Sequence, residues 1–215
     1  MARGDSKQRE RILDAAATVF GSHGLKGATI RRVAHAAGVN SALIYYYFEN
    51  KQALFTEAIG MVVRGFLQHL RARTRAFHGA RDRLSFLVDG ILDYYTAHPN
   101  RMRLMSVALN LHGGLFGQAL SSALKDQTLL PLNVLEDGIA QGELKRVHPL
   151  HAWWSVLGLC FFSLSVAEVM AHVEVPTVRL PPFDLKDRRT QIVDILTDGL
   201  ALPPERTQGK TRSRT

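Results

Sequence analysis

The stretch AAGVNSALIYYYFENK, residues 36–51, sets Tyr45, Tyr46, Tyr47 and Phe48 side by side just after the polar pair Asn40 and Ser41. Consecutive side chains leave a helix about 100° apart, so four adjacent rings cannot all turn inward. Helical spacing sorts them: Val33, Ala34, Ala37, Val39, Ile44 and Phe48 form an inward set, which leaves Asn40, Ser41, Leu43, Tyr46 and Tyr47 on an outer face. Those outer groups match the chemistry of a DNA surface. A phenol donates to a phosphate oxygen, an amide bonds a base edge, and an apolar side chain meets a thymine methyl.

Two short helices joined by a tight glycine turn would hold that face. Thr29 is placed to cap a helix over 30–37 that stops at Gly38, and Asn40 or Ser41 to start another that runs to Phe48. This is the layout of a helix-turn-helix, whose second helix enters the major groove, although two short helices around a glycine also occur in ordinary bundles.

The rest of the chain repeats the 3.6-residue period with no convincing strand, which predicts an all-α protein of about nine helices. Asp5 or Ser6 is expected to cap the first helix, which Gly21 and Gly24 end. Asn50 caps a long fourth helix expected to run from Lys51 to about His78. A fifth covers 80–98, and a sixth opens at Pro99 and runs to about Leu111. A seventh spans 116–140 with a kink at Pro131, an eighth 149–172 and a last 185–201. The organisation is a three-helix head at 1–50, a helical bundle at 51–202 joined to it by the long helix, and a basic tail at 203–215 expected to be disordered.

Charge narrows the partner. The net charge is +8, and the first 55 residues hold eight Lys or Arg against four Asp or Glu, which favours a polyanion. The single cysteine, Cys160, has apolar neighbours and reads as an inert core thiol. Trp153 to Ala167 is shorter than the roughly 20 residues of a membrane span and reads as a buried helix. An N-terminus without an apolar leader points to the cytoplasm. No Gly-rich phosphate loop, catalytic triad spacing or paired carboxylates appear, so an enzyme is not expected. His148 and His151 are three apart, but no third ligand joins them in sequence, so neither metal nor cofactor is implied.

Residues 27–59, GATIRRVAHAAGVNSALIYYYFENKQALFTEAI, resemble the DNA-binding region of the TetR family of bacterial transcriptional regulators. The resemblance rests on Thr29, Val33-Ala34, Ala37-Gly38-Val39, Ile44 through Phe48, Lys51 and Leu54, and on a first helix ending in Phe20, Gly21 and Gly24. It implies phosphate contacts from Thr29, Tyr45, Tyr47 and Lys51, and base contacts from Asn40, Ser41, Leu43 and Tyr46, with Arg31 reaching a base or a phosphate. Ala42-Leu43 stands where the family usually has a small pair such as Gly-Thr, so Leu43 is expected to touch a thymine methyl. The resemblance covers about the first 60 residues; beyond them only length and helix count agree.

A single recognition helix reads few base pairs, so such heads work as two-fold dimers. The last two helices are expected to supply the dimer surface through Ala152, Ser155, Gly158, Leu159, Ile192, Ile195 and Leu196. In the family the bundle also holds a small effector. Met61, Phe66, Phe86, Tyr94, Met102, Met105, Asn110, His112, Trp154 and Phe161 are the expected lining, suited to an apolar or aromatic ligand. The resulting expectation is a homodimeric repressor of a palindromic operator, read by the third helix and released by the effector. The alternative is a DNA-binding protein whose bundle docks a protein partner.

Overall fold

A computed structural model describes residues 3–125, 129–170, 173 and 184–202. Within them the chain forms ten helices: α1 (Arg3–Gly27), α2 (Ile30–Ala37), α3 (Ser41–Tyr47), α4 (Lys51–Ala72), α5 (Ala80–Ala97), α6 (Pro99–Leu111), α7 (Gly113–Leu124), α8 (Leu130–Ala140), α9 (Pro149–Met170) and α10 (Leu185–Leu200). The expected tail and the proline-rich segment before α10 lie outside the described residues.

The head forms because three apolar faces close on one another. Ile12, Ala16 and Phe20 of α1, Val33 and Ala37 of α2, Ile44 of α3, and Leu54 and Phe55 of α4 are all buried. Phe20 meets the edge of Phe55, with ring centroids 5.1 Å apart. Since Phe55 belongs to α4, the long helix is part of the head's core before it enters the bundle. The core then continues without a break through Phe66 and Leu70 of α4 and Leu84, Leu87 and Ile91 of α5.

Several boundaries differ from the sequence reading, each for a local reason. The first helix starts at Arg3, so Asp5 lies inside its first turn instead of capping it. Gly24 does break the helix, with φ 65° and ψ 174°, and one further turn reaches Gly27. Gly21 stays helical because its missing Cβ lets α6 approach: a Cβ there would sit 3.0 Å from the Asn100 carbonyl oxygen and 3.1 Å from the Leu104 nitrogen.

The fourth helix stops at Ala72, six residues early, at a length of about 33 Å. Beyond it the Arg75 guanidinium grips both oxygens of Asp82, at 2.7 and 2.5 Å, and the His78 amide donates to the same carboxylate at 3.0 Å. That grip, led by the Arg75 hydrogen bonds, lowers the Asp82 carboxyl from 3.8 to about 2 and turns the chain into α5. The expected seventh helix is two. Pro131 lies in the first turn of α8, where its missing N–H costs no hydrogen bond, so it begins a helix instead of kinking one.

The Trp153–Ala167 stretch is not the buried helix expected. It falls within Pro149–Ala167, a stretch of α9 that is long and apolar enough to cross a membrane by length and composition, yet only 28% of it is buried. Trp154, Phe162 and Val169 are 55%, 68% and 59% exposed.

Candidate nucleic-acid interface and bundle cavity

The α2–α3 turn is fixed by three local devices. Thr29 Oγ1 accepts the Arg32 amide at 3.2 Å and starts α2. Gly38 ends it at φ 63° and ψ 40°, a left-handed conformation that disfavours any residue with a Cβ. Asn40 Oδ1 accepts the Leu43 amide at 2.8 Å and starts α3. Arg11 ties the assembly to α1 by donating to the Ala37 carbonyl at 2.9 Å, at the negative end of α2.

This scaffold presents Tyr45 and Tyr46, 58% and 74% exposed, beside exposed Ala42. Arg31 is exposed and has no hydrogen-bond or ion-pair partner among the described residues, whereas Arg32 donates to the Gly27 carbonyl at 3.1 Å. Asn40 spends its oxygen on the cap and keeps its amide N–H groups for another acceptor. Leu43 and Tyr47, expected to face outward, are half-buried against the core, and Ser41 is half-buried too. Helical spacing alone could not show this, because the contacts come from outside the helix. Lys51, in the first turn of α4, donates to the Ala28 carbonyl at 3.1 Å, which leaves two of its three N–H groups for phosphate.

The Tyr47 hydroxyl donates to the Asp5 carboxylate of α1. This hydrogen bond, ahead of burial and Coulomb effects, raises the phenol from 10.0 to about 12. With the folded value raised, the contact is intact below pH 10 and lost as pH rises through about 12. Asp5 thus occupies a hydroxyl expected to reach phosphate and adds a negative charge beside it. Asp5→Ala should return the Tyr47 titration, read as the ultraviolet difference from Tyr47→Phe, toward 10, and tighten DNA binding by about three- to tenfold. An unchanged titration would remove Asp5 from the interface.

Behind the head, α4 to α9 enclose a cavity of about 410 Å³. Val63, Phe66 and Leu67 of α4 form one wall, Tyr95 and Met105 the next, and Phe116, Leu120, Leu132, Trp153 and Phe161 the remainder. Phe66 is nearly parallel to Tyr95 and Trp153, at 25° and 17°. Trp154 and Leu109 stand at the rim, each more than half exposed.

A family model described as bacterial regulatory proteins of the tetR family matches residues 12–58. Another, described as the tetracyclin repressor-like C-terminal domain, matches residues 81–196, more than half of the chain. The HTH-type transcriptional repressor NicS of Pseudomonas putida is 30% identical over 160 residues, 73% of this chain and 75% of that one. The chain belongs to the TetR family. It is a DNA-binding transcriptional regulator, and its family is one of regulators and not of enzymes. The HTH-type transcriptional repressor KstR2 of Rhodococcus jostii is 39% identical over 72 residues, 34% of this chain and 33% of that one. The crystal structure of FadR from Bacillus subtilis in complex with stearoyl-CoA shares the fold, with a TM-score of 0.71 over 88% of this chain and 98% of that one, at 19% identity.

Four of the ten residues expected to line this TetR-family cavity do so: Phe66, Met105, Trp154 and Phe161. The others are engaged elsewhere. Phe86 packs on Phe77, and His112 on Phe55. Tyr94 is one layer behind, donating to the Val62 carbonyl at 3.1 Å and accepting from Arg101 at 2.9 Å. Asn110 is exposed and bonds back to the Ser106 carbonyl, while Met61 and Met102 lie outside the lining. Type alone suggested these residues, and only the packing of α5 to α9 could choose among them.

The expected dimer face needs correction as well. Ala152, Ile192 and Leu196 are buried in the chain's own core and cannot meet a partner. Ser155, Gly158 and Ile195 are exposed, and Leu159 is half-buried. The outward apolar row on α9 runs instead through Trp154, Gly158, Phe162 and Val169, and Ile195 of α10 is exposed as well. Cys160 is buried, which pushes its thiol up to about 12 and leaves it unreactive. Among the described residues no three metal-ligating side chains converge; His148 and His151 rings stand 5.5 Å apart with no third partner.

Proposed function

We propose that this regulator is a homodimeric repressor that binds a palindromic operator through α3 and releases it when a small apolar or aromatic effector fills the bundle cavity. One observation carries the reading. The cavity wall includes Val63, Phe66 and Leu67 of α4, the helix whose first turn holds Lys51 beside α3. A ligand that fits one tilt of α4 better than another changes the spacing of two reading heads, and DNA and effector then oppose each other by the same coupling free energy.

Repression is supported by the names of the relatives, two of which are transcriptional repressors. Dimerisation is supported by the exposed row on α9, since an apolar patch of this kind on a soluble chain marks an interface. A ligand-sized cavity favours the small effector over a docked protein, which would suit a solid bundle. Action on chromosomal DNA makes this cytoplasmic work.

Selection of bound duplexes from a random library tests the proposal. The expected product is an inverted repeat with half-sites about 34 Å apart or a multiple of it, bound by two protomers. An asymmetric site occupied by a single protomer would reject the dimeric reading.

A further inference from the structure

The cavity offers little polar chemistry, and most of what it offers is hydrogen-bond donors. Among the described lining residues no side chain is charged. The polar side-chain groups are the Tyr95 hydroxyl and the indole N–H groups of Trp153 and Trp154, and an indole can only donate. Tyr95 is 4% exposed, and its hydroxyl has no hydrogen-bond partner among the described residues. Nor is that oxygen sealed in the core, for the one sealed, unpartnered side-chain atom among the described residues is His69 Nε2. The Tyr95 hydroxyl therefore keeps accessible space beside it, and its residue lines the cavity.

Shape adds a second constraint. Tyr95, Phe66 and Trp153 are near-parallel, stacked rings that give the lining an aromatic wall, with Phe161 set edge-on to Tyr95 at 5.0 Å. The 410 Å³ space falls in the range of about 300–1,000 Å³ typical of small-molecule pockets.

We infer that the effector is an uncharged molecule with an apolar body and one acceptor oxygen, of the ketone, ester or amide type, held by the Tyr95 hydroxyl. The inference rests on the reading of this cavity as the effector site. Burial raises the Tyr95 phenol further, so it is a permanent hydrogen-bond donor at physiological pH. An ionised carboxylate or phosphate would lose its hydration here and gain no cation from the described lining residues, which disfavours charged heads in the interior.

Three probes of equal size separate the contributions: para-acetylbiphenyl, para-isopropylbiphenyl and para-biphenylcarboxylate, titrated calorimetrically into the full chain at neutral pH. The acetyl probe should bind tightest, the isopropyl probe about fivefold weaker for want of one neutral hydrogen bond, and the carboxylate about a hundredfold weaker or more. Tyr95→Phe keeps the ring contacts and should reduce the acetyl probe to the isopropyl level while leaving the isopropyl probe unchanged.

A Tyr95→Phe protein that still prefers the ketone, or a parent that binds the carboxylate as well as the ketone, overturns the inference. Both tryptophans of the chain line the cavity, so their fluorescence reports occupancy directly. If no probe binds and that fluorescence is unchanged, the effector site itself is misassigned and the inference falls with it. If the acetyl probe binds through Tyr95 without weakening operator binding, the inference stands and the release mechanism fails.

Discussion

The Tyr47→Phe, Lys51→Ala double variant is expected to lose two to three powers of ten in operator affinity, and its salt dependence separates the two residues. The proposed dimer would present two copies of Lys51 and two of Tyr47. Lys51 carries a full charge in the first turn of α4, where the free N–H groups of a helix N-terminus also attract phosphate. Each phosphate neutralised contributes about 0.9 to the slope of log affinity against log salt, so losing both lysines should flatten it by about 1.8. The phenol contributes a hydrogen bond to a charged acceptor, worth about 1.5–3 kcal/mol, and no slope.

The order of events differs for the two. Lys51 keeps the Ala28 carbonyl and still has donors to spare, whereas Tyr47 must leave Asp5 to reach phosphate. Tyr47→Phe should therefore weaken binding by less than an exposed tyrosine would. In its presence Asp5→Ala should tighten binding less than in the parent, since only the removal of a negative charge remains. Affinity and slope equal to the parent's, in a protein with the parent's melting temperature, would place both residues outside the DNA interface.

The reading head was legible in the sequence because its determinants are local. Thr29, Gly38, Asn40 and Asn50 act on backbone groups within four residues, and each cap or turn stands where its type and spacing place it. The inward set from Val33 to Phe48 follows from one helical period. Legibility fails where partners are distant. Asp5 meets Tyr47 across 42 residues, so the apparent cap became a contact to the recognition helix. Arg75 continues the helical pattern of the fourth helix, and only its grip on Asp82 of α5 shows why the helix ends before it, at Ala72. The cavity is the extreme case. Tyr94 and Tyr95 are adjacent and identical in type, yet one hydroxyl is consumed by Val62 and Arg101 while the other residue lines the space.

Glu143→Ala should destabilise the bundle by about 3 kcal/mol, because it strands a buried guanidinium. Arg83 of α5 lies on that helix's apolar face and is 3% exposed. Its Nε donates to Glu143 at 2.5 Å, and its Nη2 to the Gln141 side chain at 2.6 Å, with the Phe77 ring 5.2 Å from the guanidinium carbon. Glu143 is itself about a quarter exposed, so the loss falls at the lower end of the range for breaking a buried pair. The pair does more than hold charge. It pins the turn after α8 to α5, where Gly138 comes so close that a Cβ would sit 2.9 Å from Arg83 Cδ, and α8 carries Pro131 and Leu132 of the cavity wall. A combined Arg83→Met, Glu143→Leu variant removes both charges and fills their volume, so it should recover to within about 1 kcal/mol of the parent. Urea denaturation of the three proteins decides between the two roles. A Glu143→Ala loss below about 1 kcal/mol would mean that water, not Glu143, satisfies Arg83. Full recovery of stability in the combined variant, with weakened binding of the neutral biphenyl ketone, would instead show that this contact is kept for the geometry of the cavity and not for the stability of the fold.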